Sequence, residues 1–211
     1  MTAPMTMNRL IHAAVRRDLE RLDAALGSAA DGDRARAADL ERAYANLHRE
    51  LTRHHEGEDT HIWPMLAKAG VGQELLGAMQ EEHHAMSDAL AETGTAMKAY
   101  ATSGSAADAS AARASVVRAQ EVVEQHLAHE EDELEPELQP HLESPEWKAV
   151  EKQLRKGSPG VAGNFFAWLT DGMSEPGRAY LRSTVPTPVV TLLSRVFGRK
   201  YNKEIAPVWQ R

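Results

Sequence analysis

Two stretches decide the fold: His54-His55-Glu56-Gly57-Glu58-Asp59 and His126-Leu127-Ala128-His129-Glu130-Glu131. In each, a glutamate follows the first histidine by four residues, a proline by ten (Pro64, Pro136) and a leucine by twelve (Leu66, Leu138). Residues four apart stand about one turn apart on one helix face. A histidine nitrogen and a glutamate oxygen at that spacing reach one point beside the helix. Two such arms can clamp a metal pair.

The flanking sequence supplies helices for these arms. Apolar residues recur at spacings of three and four in four stripes. They are His12, Val15, Leu19, Leu22 and Leu26; then Leu40, Tyr44, Leu47, Leu51, His54, Glu58, Ile62 and Met65; then Leu76, Met79, His83, Met86 and Leu90; and last Val116, Val123, His126, Glu130 and Leu134. Turn-forming clusters at 27–33, 69–72 and 102–106 separate them. Four helices with short connections predict an all-α fold, an antiparallel up-down-up-down four-helix bundle. Its expected span is 1–142, with a C-terminal helical extension over 143–211. In that extension Ser144-Pro145-Glu146 reads as a helix start. Further helical pieces are expected over 162–170 and 190–205.

Six ionisable residues interrupt the apolar stripes: His12, His54, Glu58, His83, His126 and Glu130. Burying them is costly unless they pair or bind metal. Their depths agree. In an antiparallel hairpin, residues at equal height mirror about the turn. The midpoint of His12 and His54 is residue 33. That of His54 and His83 falls between 68 and 69, and that of His83 and His126 between 104 and 105. All three lie in or beside the turns. Four histidines on four helices therefore share one layer.

Composition narrows the chemistry. The chain has 211 residues, ten histidines and no cysteine, which excludes disulfides, thiolate metal sites and cysteine nucleophiles. A net charge of −7 argues against nucleic acid as a partner. The N-terminal residues do not read as a signal peptide, and no apolar run approaches a membrane span, so a cytoplasmic protein is expected. His48, His55, His84 and His141 fall off the stripes and are expected in solvent or behind the site. Glu131, Asp132, Glu133 and Glu135 read as an acidic solvated face.

The combined pattern resembles the hemerythrin and HHE cation-binding family over roughly residues 7–140. That family has one histidine on the first helix, His-x-x-x-Glu on the second, one histidine on the third and His-x-x-x-Glu on the fourth. The matching residues are His12, His54 with Glu58, His83, and His126 with Glu130. The resemblance implies two non-haem iron ions, carboxylate- and oxo/hydroxo-bridged. It also implies small ligands such as O2, peroxide or NO.

The chain departs from the family's oxygen carriers, which place two histidines four apart on the third helix. Here Ser87 and Met79 flank His83. Two near-octahedral irons have about twelve coordination positions, of which this ligand set leaves about two open. His61 and His129, each within a turn of a proposed ligand, are candidates to fill one. Glu131 competes with Glu130.

Three functions follow as expectations. One is redox chemistry on oxygen-derived ligands, with acid–base help from His61 or His129. The second is a non-catalytic oxygen or iron sensor, with the extension contacting a partner or a second copy. The third is a zinc-bound or metal-free structural bundle. A ferritin-like scheme through Glu58-x-x-His61 and Glu81-x-x-His84 is the rival ligand set.

Overall fold

The computed structural model describes residues 5–210, and those residues contain helices and no strand. Helix α1 spans Met7–Gly27 and α2 Arg34–Gly57. A π-helical turn, Glu58–Ile62, leads from α2 into α3, Trp63–Ala69. Helix α4 covers Gln73–Ser103 and α5 Ala106–His129. A second π turn, Glu130–Leu134, leads into α6, Glu135–Leu138. A 3-10 turn over Gln139–His141 then ends this part of the chain.

Side-chain caps start these helices where the sequence offers them. Thr6, Asp33 and Ser105 accept the backbone N–H of Arg9, Arg36 and Asp108. Helix α4 ends at Gly104, whose φ of 67° suits a residue without Cβ. A Cβ there would also approach the Arg34 backbone to 3.0 Å.

The helices α1, α2, α4 and α5 form a closed ring, each packed on two of the others. Their inward faces bury Val15, Leu19, Leu22, Leu40, Leu47, Leu51, Met86, Val116 and Val123 in one core. A second cluster, around Trp63, Leu66, Met79 and Leu134, closes one end of the ring.

The two π turns have a common cause. Pro64 and Pro136 lack an N–H, and their rings clash with the carbonyl four residues back. Widening the preceding turn accommodates both faults. The N–H before each proline, from Trp63 and Glu135, bonds five residues back to the carbonyls of Glu58 and Glu130. Each bulge begins at the inward glutamate.

The C-terminal segment folds back onto the ring. It comprises α7 (Pro145–Leu154), α8 (Pro159–Thr170), α9 (Glu175–Thr184), α10 (Thr187–Leu192), a π turn (Leu193–Phe197) and α11 (Arg199–Glu204). The Ser144 start and the 162–170 helix agree with expectation. Gly198 interrupts the piece expected over 190–205, and α9 had no expected counterpart. Gly163 lets α8 touch the Leu193–Phe197 turn, where a Cβ would meet the Phe197 backbone at 2.4 Å.

Trp168 on α8 is fully buried in the ring's own core, and its indole N–H donates to Asp18 Oδ2 at 2.8 Å. Arg17 pairs with the same buried carboxylate. Tyr201 donates to Asp171, and Asn164 donates to Asn46 and Glu50 of α2. Among the described residues no helix is long and apolar enough to cross a membrane.

Because Trp168 fills core volume and satisfies Asp18, Trp168→Ala is expected to destabilise the chain by about 3–5 kcal/mol. Chemical denaturation measures this. A loss under about 1 kcal/mol would show that the C-terminal segment is only an appendage.

Candidate metal centre

The ring helices bring all six stripe residues together. His12 comes from α1, His54 from α2, His83 from α4 and His126 from α5. Glu58 and Glu130 enter from the first positions of the two π turns. His12 and His126 are fully buried, and Glu58, His83 and Glu130 are at most 5% exposed.

The nitrogens pair across helices. His54 Nε2 lies 3.4 Å from His12 Nε2, and His83 Nε2 lies 3.2 Å from His126 Nε2. Glu58 spans the two pairs, with Oε1 3.1 Å from His54 Nε2 and Oε2 3.6 Å from His83 Nε2. Glu130 Oε2 lies 3.1 Å from His12 Nε2 and 3.8 Å from His126 Nε2.

His55 departs from the expectation. It is buried within the cluster rather than solvated or behind the site. Its ring stacks on His83 at 4.2 Å and meets His126 edge-on at 5.4 Å. Donor atoms of His55, His83 and His126 lie within 4.8 Å of one another, as do those of His12, His54 and Glu130. A third such group, His54, His55 and Glu58, joins these two adjacent triads.

The remaining residues lie elsewhere. His61 belongs to neither triad. His129 turns its Nδ1 to Glu82. Glu131 lies behind His12 and is 2.8 Å from its Nδ1, so it is not part of the solvated acidic face. Glu135 is likewise drawn in, accepting from Thr6, Asn8 and Arg9. Glu81 and His84 are exposed, which removes the ferritin-like pairing.

The electrostatics are those of groups confined without water. Burial and the neighbouring His12 push the His54 imidazole down to about 3. Burial also drives His55 well below its ordinary value. His12 goes the other way: burial opposes its charge, but Glu130 and Glu131 hold it up at about 9. Burial raises the Glu58 carboxyl well above the usual range, with Glu130 adding to the effect. Burial opposes the charge on Glu130, but His12, with His54 and His126, holds it down to about 2.

Three buried atoms in this layer have no well-formed hydrogen bond in the protein, His55 Nε2, Glu58 Oε2 and Glu130 Oε2. A buried polar atom without a partner costs roughly 1–3 kcal/mol. Neutral imidazoles and carboxylates with free lone pairs suit a first-row transition metal. The residues present therefore fit metal ions.

His55→Ala is expected to weaken metal binding at least tenfold, whereas His61→Ala leaves it near wild type. Titrating the metal-free protein with ferrous iron or cobalt(II) compares them. Equal affinities would remove His55 from the site.

A family model described as the hemerythrin HHE cation-binding domain matches residues 6–138. No curated protein and no solved structure matches the chain. The match covers more than half of the sequence and all seven clustered residues, so the chain belongs to the hemerythrin HHE cation-binding family.

Proposed function

We propose that the chain is a non-haem di-iron protein acting on oxygen-derived small ligands, O2, peroxide or NO. The two adjacent triads with Glu58 between them carry this reading. His55, His83 and His126 would hold one ion, and His12 and His54 the other. Glu58 and Glu130 would serve both. Two such ions would supply redox equivalents and a binding position for a diatomic or peroxide ligand.

The ligand layer rests on an apolar floor. Val15, Leu51, Met86 and Val123 are buried, and each stands three residues from a ligand histidine on its own helix. The offset runs toward the C-terminus on α1 and α4 and toward the N-terminus on α2 and α5. That alternation supports the antiparallel up-down-up-down bundle. The floor excludes water and limits escape of reactive species. With His55 counted, five histidines and two bridging carboxylates leave about one position open, not the two expected from the sequence. Turnover of peroxide in the cytoplasm is the activity we assign.

A non-catalytic oxygen or iron sensor is the second reading. The direct clasp between α1, which carries His12, and α8 of the C-terminal segment favours it. That segment, 143–211, would then pass the site's state to a partner or a second copy.

Purified protein is expected to hold about two irons per chain, to show oxo-bridged ferric absorption and to consume peroxide catalytically. Zinc in place of iron, or a spectrum that reverses cleanly on degassing with no peroxide loss, would contradict the enzymatic reading. Metal uptake is also expected to release protons at pH 7. His12, held at about 9, enters that pH charged and must become neutral to ligate. Calorimetry in two buffers of different ionisation heat measures the release, and identical heats would contradict it.

A further inference from the structure

Three histidines of the cluster present their second nitrogen to a carboxylate on a neighbouring helical segment. His83 Nδ1 lies 2.9 Å from Asp59 Oδ1. His12 Nδ1 lies 2.8 Å from Glu131 Oε1. His126 Nδ1 lies 2.9 Å from Glu82 Oε2. Two of these contacts repeat one device. Asp59 and Glu131 each follow the inward glutamate, and each is the second residue of a π turn. The widened turn aims the glutamate into the cluster and the next residue at a histidine on an adjacent helix.

An imidazole donating its Nδ1–H to a carboxylate leaves its Nε2 lone pair for a metal. It is also a more basic, more electron-rich ligand than a free imidazole. In all three histidines Nε2 is the atom facing the cluster.

The charges behind the two triads differ. Glu131 is offset by Arg16 at 2.7 Å and Arg9 at 3.2 Å. Among the described residues neither Asp59 nor Glu82 pairs with a lysine or arginine. Glu82 instead takes His129 Nδ1 at 2.8 Å. The triad of His55, His83 and His126 thus has two carboxylates behind it without a lysine or arginine counter-charge.

We propose that Asp59, Glu82 and Glu131 are positioning residues that fix the ligand tautomers and bias the metal pair toward its ferric level, most strongly at the His55–His83–His126 position. This rests on the di-iron reading above. Negative charge close to a metal stabilises its more positive state. A centre so biased is suited to start from the oxidised pair rather than to return to the ferrous pair that reversible oxygen carriage needs.

The test uses the full chain and the variants Asp59→Asn, Glu82→Gln and Glu131→Gln. Three readouts apply: melting of the metal-free protein, cobalt(II) affinity, and the midpoint potential of the iron-loaded site. Each variant is expected to lose about 10–100-fold in metal affinity. Metal-free melting should stay near wild type for Asp59→Asn and Glu82→Gln. These two should also move the potential upward by more than Glu131→Gln does. If Asp59→Asn does not load iron, Asp59→Glu is expected to restore loading, and its failure would count against the proposal. Unchanged affinity and potential in loaded variants would overturn the proposal and leave the di-iron reading intact. A wild-type chain that takes up no metal would overturn both.

Discussion

Burying two carboxylates and five imidazoles in one layer of an apolar bundle is the constraint on which this structure depends. Such groups cannot all be charged, and they cannot all be left without partners. The protein divides the problem. His12 and Glu130 form an ion pair, burial suppresses charge on His54 and His55, and Glu58 is driven toward its neutral acid. Three lone-pair-bearing atoms, His55 Nε2, Glu58 Oε2 and Glu130 Oε2, still lack a well-formed hydrogen bond in the protein. A layer that is rich in acceptors and closed to water is completed by cations. The surrounding architecture serves that layer, with an apolar floor on one side and the Trp63 and Leu66 cluster toward the other.

Much of this was legible in the sequence because four-helix rings obey one period. The apolar stripes located α1, α2, α4 and α5, and mirror symmetry about the turns predicted the common depth of the four histidines. His55 was hidden by the same logic. Counting one narrow stripe per helix treats a neighbour of His54 as pointing away. A helix in a ring instead presents a face at least 100° wide, turned to two partners. On α2, His54 looks toward His12 of α1 and His55 toward His83 of α4. An adjacent His-His pair on a ring helix could have been read as straddling two neighbours. Glu131 was named as a rival to Glu130, but its place behind His12 was hidden for another reason. Its approach to His12 depends on a π turn, which breaks the 100° step that sequence reading assumes.

The C-terminal segment was only partly legible. Ser-Pro pairs mark the starts of α7 and α8, but Gly177 near the start of α9 weakens the helical signal there. Its role in stability could not be inferred from periodicity, because its short helices pack on one another as well as on the ring. Trp168 is the clearest case. It shares the ring's core and satisfies the buried Asp18, which lies six residues past His12 on α1. The segment thereby braces the helix that supplies His12.

The central claim is that two metal positions lie side by side, one facing His55, His83 and His126 and the other His12, His54 and Glu130. Anomalous diffraction at the iron edge, from crystals of the iron-loaded chain, tests it directly. The account predicts two peaks, one within each triad, with Glu58 between them. A single peak, or a pair in which His55 faces neither, would contradict it.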